Sequence, residues 1–237
     1  MTNNKQTVKK IWLPLIFATA ISSGALMAES EVTPLSLPPP LPAPVAEVAT
    51  PAGDERFTAL LATLARDFPS YSTARVLVVD ATAQTLILVE NGQAVNEWVI
   101  STATSGLGSV KGSQQTPLGV HRVAQKLGDG APLGAIFKAR QNTGRIAQIL
   151  TGADERSTAD NVTTRILWLD GLEPGVNKGG EVDSYERYIY IHGTDEEGRL
   201  GNPASHGCIR MRNADVIDLF NRVNEDTLVV ITRKREG

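Results

Sequence analysis

The chain has one cysteine, three histidines and no run of basic residues. One thiol cannot close an intramolecular disulfide, so Cys208 is an inert buried side chain, a link between molecules or a reactive nucleophile. With no second cysteine, the thiolate pairs common in structural zinc sites are also missing. Lysine and arginine number 23 against 26 aspartates and glutamates. Without clustered positive charge the chain is a poor partner for DNA, RNA or an anionic membrane surface. Arg233-Lys234-Arg235 is a short solvated end and not a nucleic-acid patch. No internal repeat at solenoid periods is found.

What is present begins with a leader. Lys5, Lys9 and Lys10 precede an uncharged apolar run from Ile11 to Met27, and Ala28-Glu29 opens a polar stretch. That order is the one expected of a secretory signal peptide, residues 1–28, cut after Ala28. The rival reading is an uncleaved N-terminal anchor, because a run of roughly seventeen residues is at the short end of spanning length. Either way the protein is expected to be exported to the periplasm or cell envelope, with a membrane partner only if the leader stays. Loss of the three leader lysines leaves 20 basic and 26 acidic residues, a net charge of −6. Residues 29–53, rich in proline from Pro34 to Pro51, read as a semi-rigid linker. Residues 54–70 carry Phe57, Leu60, Leu61, Leu64 and Phe68 at helical spacing before Pro69, which predicts an amphipathic helix.

Residues 71–237 form the main domain, and their pattern is β. Arg75 to Asp80 and Thr85 to Glu90 predict a hairpin, and Asn91-Gly92 marks a tight turn into a strand from Ala94 to Thr102. Further strand runs are Gly119 to Ala124, Arg165 to Asp170, Tyr188 to His192 and Leu228 to Thr232. The fold class is therefore mainly β, a sandwich or barrel-like domain with a few short helices; the pattern does not separate sandwich from barrel. Gln125 to Thr163 is glycine-rich and polar, with Ile136, Phe137 and Ile146 to Leu150 as apolar anchors. So long a connection reads as a lid over a substrate groove. Near the end, Asn213 is placed to cap a helix with Asp215 in its first turn and an apolar stripe of Val216, Ile217, Phe220 and Val223.

The chemistry gathers around the cysteine. Ser205-His206-Gly207-Cys208-Ile209-Arg210 lies sixteen positions after His192-Gly193-Thr194, counted from His192 to Cys208. A thiol attacks as thiolate, and a histidine in reach forms an imidazolium–thiolate pair and returns the proton to the leaving group. His192 ends a strand run that places it on one face with Tyr188 and Tyr190, so it is held more rigidly than His206 and is assigned as base. Gly193 and Gly207 let backbone approach a substrate, and N–H groups around Gly207 and Cys208 are placed for an oxyanion hole. Arg210 lies one alternation step past Cys208 and suits a bidentate grip on a carboxylate, while Arg212 shares that task or faces solvent. Ser205 supports the site by hydrogen bonding. Zinc is the rival: His192, His206, Cys208 and Asp195 offer four ligands, but His-x-Cys is not a common zinc spacing. No metal, nucleotide or haem site is indicated, and no cofactor is expected. His121 reads as structural.

His192-Gly193-Thr194 followed by Ser205-His206-Gly207-Cys208-Ile209-Arg210-Met211, with Thr116-Pro117-Leu118-Gly119 upstream, resembles the L,D-transpeptidase catalytic domain family of the YkuD type. The resemblance covers roughly Ala74 to Thr232 and implies that family's mostly β fold. It implies chemistry on peptidoglycan stem peptides: Cys208 attacks the carbonyl of the third stem residue, expels the terminal D-alanine, and an amine of another stem resolves the thioester as a 3→3 cross-link. Other acceptors in such proteins are an envelope lipoprotein, a D-amino acid or water, the last making the enzyme a carboxypeptidase or endopeptidase. By the same resemblance His192 is the base and the Gly193 carbonyl its orienting group. His206 and Gly207 line the oxyanion site, Arg210, Ser205 and Tyr190 bind the substrate, and carbapenems are expected to acylate Cys208. A non-catalytic cell-wall binding module and a zinc hydrolase are the competing classes.

Overall fold

The computed structural model describes residues 54–233, so the expected leader and proline-rich linker lie outside the described residues. Helix α1, Glu55–Asp67, comes first. Asp54 caps it by accepting the Arg56 N–H, and Phe57 and Leu64 are its buried stripe. The strands follow as β1 Arg75–Asp80, β2 Thr85–Glu90, β3 Gln93–Ser101, β4 Gly119–Leu127, β5 Ala135–Lys138, β6 Gln141–Ile146, β7 Val162–Gly171, β8 Tyr190–Gly193, β9 Ile209–Met211 and β10 Leu228–Thr232. Helix α2, Asn213–Arg222, lies between β9 and β10.

The sheet closes on itself. Its order runs β4-β10-β1-β2-β3-β9-β8-β7, and β7 pairs again with β4, so eight strands form a barrel. The hairpin β5–β6 continues from the early end of β7, where Phe137 meets Val162. That closure decides between the sandwich and barrel left open by the sequence. The pairs β1–β10 and β8–β9 are parallel and the rest antiparallel.

Two faces of burial explain why β1 and β2 read as nearly continuous apolar runs. Leu77, Val79, Leu86 and Leu88 join Leu167, Leu169, Ile191, Ile209 and Met211 in the main core. Their alternating neighbours Val76, Val78, Ile87 and Val89 turn the other way, against Phe57 and Leu64 of α1. The Asn91-Gly92 turn has both residues at positive φ, 49° and 80°, which is the geometry a two-residue hairpin requires.

Three expectations need correction. Gln125 to Thr163 is not one unstructured connection: it contains the end of β4, the β5–β6 hairpin and a loop up to β7. Ile209–Met211 forms a strand of its own, β9, which the expected strand runs did not include. Asn213 does not cap α2; Arg212 holds that position without a side-chain bond, and Asn213 is the first helical residue, fully buried. The Glu197 carboxylate takes over the capping task by accepting the Asn213 N–H at 2.8 Å and its side-chain amide at 2.7 Å.

Candidate active site

Strands β8 and β9 carry the site. They run parallel with Ile191 opposite Ile209, His192 opposite Arg210 and Gly193 opposite Met211. Ile191, Ile209 and Met211 point into the barrel core. Alternation therefore sends Tyr190, His192 and Arg210 to the other face. Cys208, one position before β9, packs with Tyr190, Trp168, Phe137 and Ile166 in a separate cluster on that side.

The Cys208 sulfur is held by the backbone of the tyrosine-rich segment. The Tyr190 N–H donates to Sγ at 3.4 Å, and the thiol donates to the Tyr188 carbonyl, also at 3.4 Å. Tyr188 has φ of 58°, a left-handed conformation that an aromatic side chain rarely adopts, and this aims its carbonyl at the sulfur. The same kink starts β8 at Tyr190, two residues later than the sequence run suggested.

The loop before Cys208 is fastened from within. Ser205 Oγ donates to the Cys208 carbonyl at 2.6 Å and accepts the Gly207 N–H at 3.2 Å. Gly207 has φ of 132°, open only to glycine, and its carbonyl accepts from Thr116 Oγ1 at 3.0 Å. Thr116 Oγ1 in turn accepts the Ala103 N–H at 3.0 Å. Two expectations change here. Ser205, 1% exposed, has its hydroxyl engaged in the turn and does not face a substrate. The Gly207 N–H is bound by Ser205 and is not a free oxyanion donor in this state.

His192 is buried, and its Nδ1 lies 2.7 Å from the Gly193 carbonyl. A carbonyl only accepts, so Nδ1 carries the proton and Nε2 is left with a free lone pair. Burial pushes the imidazole below its ordinary value, although Asp160 and the Gly193 bond oppose the shift. For Cys208, burial dominates and drives the thiol up to about 12; the Tyr190 N–H and the charges of Arg210 and Arg187 pull it back only partly. No hydrogen bond joins the His192 ring to Sγ. Burial thus favours a neutral thiol and a neutral imidazole at rest over the imidazolium–thiolate pair that proximity in sequence suggested.

Arg210 is 2% exposed and its two terminal nitrogens face acids of the protein itself. One meets Asp160 at 2.6 Å and the other Glu196 at 2.8 Å. The open fork expected for a substrate carboxylate is therefore already filled. Asp160 also meets His206 Nδ1 at 2.6 Å, so one carboxylate ties His206 and Arg210 together. Burial would raise the Asp160 carboxyl, but Arg210, His192 and His206 hold it below the usual carboxylate range. Tyr190, 7% exposed, offers backbone to the sulfur while its hydroxyl bonds Arg140. Arg212 is exposed, 3.9 Å from Glu197.

The ligands of the zinc reading are separately engaged. Asp195 accepts from Ser157 at 2.7 Å and Asn161 at 2.6 Å, His206 faces Asp160, and His192 Nδ1 faces Gly193. Among the described residues no group of three or more histidine, cysteine or acidic side chains is placed to hold a metal. His121 is fully buried, its ring between the Gly119 carbonyl at 3.0 Å and Ser184 Oγ at 2.9 Å.

Several residues escaped the sequence reading. Asp160 and Glu196 are isolated acids in polar stretches. Arg187, which pins Gln115 and Gly108 by their carbonyls at 2.6 and 3.3 Å, reads there as the edge of a strand. Thr116 was noticed only within a motif, and its buried bond to Gly207 spans 91 positions.

The YkuD family profile, described as L,D-transpeptidase catalytic domain, matches residues 74–231. YkuD of Bacillus subtilis, named a proposed L,D-transpeptidase, is 40% identical over 62 residues, 24% of this chain and 38% of that protein. YqjB of the same organism, named likewise, is 48% identical over 46 residues, 19% of this chain and 26% of that protein. The chain thus matches between about a quarter and two fifths of the length of these relatives. Among solved structures, an L,D-transpeptidase from Mycobacterium smegmatis superposes with a TM-score of 0.42 and 15% identity over 67% of this chain and 58% of that one. L,D-transpeptidase 3 from Mycobacterium tuberculosis, solved with a faropenem-derived adduct, gives a TM-score of 0.41 and 16% identity over 67% and 60% of the two chains.

Proposed function

The chain belongs to the YkuD family of L,D-transpeptidase catalytic domains, and from that premise we propose that it is an exported cysteine acyltransferase acting on peptidoglycan stem peptides. The observation that carries the reading is the placement of Cys208 on a shared sheet face with His192, whose tautomer leaves Nε2 unprotonated. In the first half-reaction Sγ forms a bond to the carbonyl carbon of the donor amide while its proton passes to His192 Nε2. The tetrahedral intermediate collapses, the C–N bond breaks, and the proton leaves with the expelled amine. In the second half an acceptor amine attacks the thioester carbonyl and its proton moves to His192; the C–S bond then breaks as the new C–N bond is kept, and the proton returns to sulfur. One amide is exchanged for another, and no oxidant or metal is required.

The neutral resting pair fits this sequence of events. A thiol held up near 12 is poorly nucleophilic until the substrate carbonyl and base act on it together. The reaction then depends on His192 removing the proton as the carbon–sulfur bond forms. Acceptors include a second stem, giving 3→3 cross-links, or an envelope lipoprotein. Water as acceptor makes the same site an L,D-carboxypeptidase or endopeptidase.

Muropeptide mass spectrometry with the wild-type protein and Cys208→Ala tests the proposal. Expected products are 3→3 dimers, exchanged D-amino acids or tripeptides, all lost in the variant; tripeptides alone assign the hydrolase. Absence of every such product with intact wild-type protein removes the acyltransferase reading. A carbapenem is expected to add its mass to Cys208, and persistence of that adduct in Cys208→Ala shows the nucleophile to be another residue.

A further inference from the structure

With Arg210 closed off by Asp160 and Glu196, the carboxylate-binding group of the site must lie elsewhere. A cavity of about 310 Å³ is lined by Lys111, Arg140, Trp168, Tyr185, Glu186 and Tyr188, the last of which accepts the Cys208 thiol with its carbonyl. Its wall is aromatic: Trp168 and Tyr185 stack with ring centroids 4.0 Å apart and planes within 1°. The Trp168 indole donates to the Tyr185 carbonyl at 3.1 Å, which fixes the pair.

Arg140 hangs over this wall from the tip of the β5–β6 hairpin. Its guanidinium carbon is 4.6 Å from the Trp168 ring centroid and 5.0 Å from that of Tyr188. Its polar partners are the hydroxyls of Tyr190 and Tyr188. Among the described residues no carboxylate forms an ion pair with it or with exposed Lys111. A guanidinium held on ring faces and hydroxyls keeps its charge uncompensated and its fork available to an anion. The backbone adds a second observation: Ala139 and Arg140 both have positive φ, 47° and 69°. That two-residue turn ordinarily takes Asn-Gly, and here two residues with side chains hold the left-handed region.

The cavity is joined to the nucleophile by two tyrosines. Tyr188 accepts the Cys208 thiol with its carbonyl and lies beneath Arg140 with its ring. Tyr190 donates its N–H to the same sulfur and bonds Arg140 with its hydroxyl. The length of one tyrosine thus separates the sulfur from the guanidinium. The backbone carboxylate of an expelled C-terminal residue sits two bonds beyond the scissile nitrogen, too near the sulfur to span that length. A carboxylate at the end of a donor side chain spans it.

We propose that this cavity is the subsite for a side-chain carboxylate of the acyl-donor residue, with Arg140 as the gripping cation and Lys111 as the second. The inference rests on the acyl-transfer reading above. Glu186 on the same rim disfavours a second negative charge and accepts an ammonium beside the carboxylate. Arg140 is thereby a specificity-determining residue that the sequence motif does not contain.

The test uses stem tetrapeptide donors in three forms: free side-chain acid, side-chain amide, and C-terminal amide. Steady-state kinetics are measured for the wild type, Arg140→Gln, Arg140→Lys and Lys111→Gln. Arg140→Gln is expected to lower kcat/KM about 10- to 100-fold on the free acid, mainly through KM, as for loss of a charge-assisted pair. On the side-chain amide the loss is expected to be less than about threefold. Arg140→Lys and Lys111→Gln should show the same split, reduced in size. An equal penalty on acid and amide, or one that follows the C-terminal group instead, overturns the subsite. Alkylation of Cys208 by iodoacetamide at the wild-type rate certifies each variant's fold; if Arg140→Gln fails it, the other two variants carry the comparison. If wild type alkylates normally yet turns over none of the donors, the acyl-transfer reading fails and the subsite falls with it. Turnover without the Arg140 split sinks the subsite alone.

Discussion

His192 donates its Nδ1 proton to the carbonyl of the very next residue, Gly193, across 2.7 Å. One strand end thus sets both the tautomer and the direction of the base, and the ring needs no carboxylate partner to keep it in place. The consequences reach pH dependence, packing and the behaviour of the cysteine.

As the proposed base His192 acts only when neutral, and burial lowers its pKa from the ordinary 6.5. Activity is therefore expected to persist above pH 6.5 and to fail as pH drops through the lowered value, with an acidic limb below that of a free imidazole. Alkylation of Cys208 by iodoacetamide should keep rising into the alkaline range, since the thiol is pushed up to about 12. A plateau in alkylation near neutrality would show that a thiolate pair exists at rest.

Asp160 is the carboxylate that ties Arg210 to His206, and its charge also raises the Cys208 pKa and that of His192. Asp160→Asn is expected to accelerate alkylation of Cys208 at fixed pH by roughly two- to tenfold. The acidic limb of activity should move to lower pH in the same variant. Slower alkylation, or none of the shift, contradicts the electrostatic account.

A side chain at position 193 has nowhere to go. Its Cβ would stand 2.6 Å from Asn213 Oδ1 and 2.8 Å from the Thr163 carbonyl. Gly193→Ala is expected to destabilise the fold by about 1–3 kcal/mol through overpacking and to displace the carbonyl that orients His192. Denaturant titration and the rate of β-lactam acylation measure the two effects, and unchanged values for both would refute the packing argument.

His121 sets an acid limit on the fold. Burial lowers its pKa from 6.5 to about 4, so the folded state resists a proton that the unfolded chain accepts. Stability from this group is complete above the unfolded value near 6.5 and is lost as pH falls towards 4, by on the order of 3 kcal/mol. His121→Gln should flatten that part of the stability curve; a slope equal to the wild type's places the titration in another residue.

The strands β1, β2 and β10 were legible to the residue because each is covered on both sides and runs apolar without interruption. Asn91-Gly92 announced its turn for a similar reason, since few other pairs tolerate two positive φ angles. Cys208 and His192 stood out because thiol and imidazole are rare in this chain. The polar partners did not. Asp160 and Glu196 carry no periodicity, and their meeting with Arg210 depends on a loop and a 3-10 turn folding onto β9. The reading of Arg210 as a substrate grip followed correctly from alternation, but alternation cannot reveal an acid 50 positions away that already occupies the fork. Arg140 was hidden for the complementary reason, since Ala139-Arg140 has none of the residues that normally mark such a turn.

The raised Cys208 pKa has a consequence for the life of the protein before it meets any substrate. An unfolded cysteine has an ordinary value of 9.0, and the folded site moves it to about 12. At pH well below 9, folding therefore lowers the fraction present as thiolate. Oxidants, small disulfides and other thiols react with that form, so the finished barrel guards its only thiol from the damage that would end its use. Exposure to peroxide during refolding, not after it, is the moment of greatest risk for this protein.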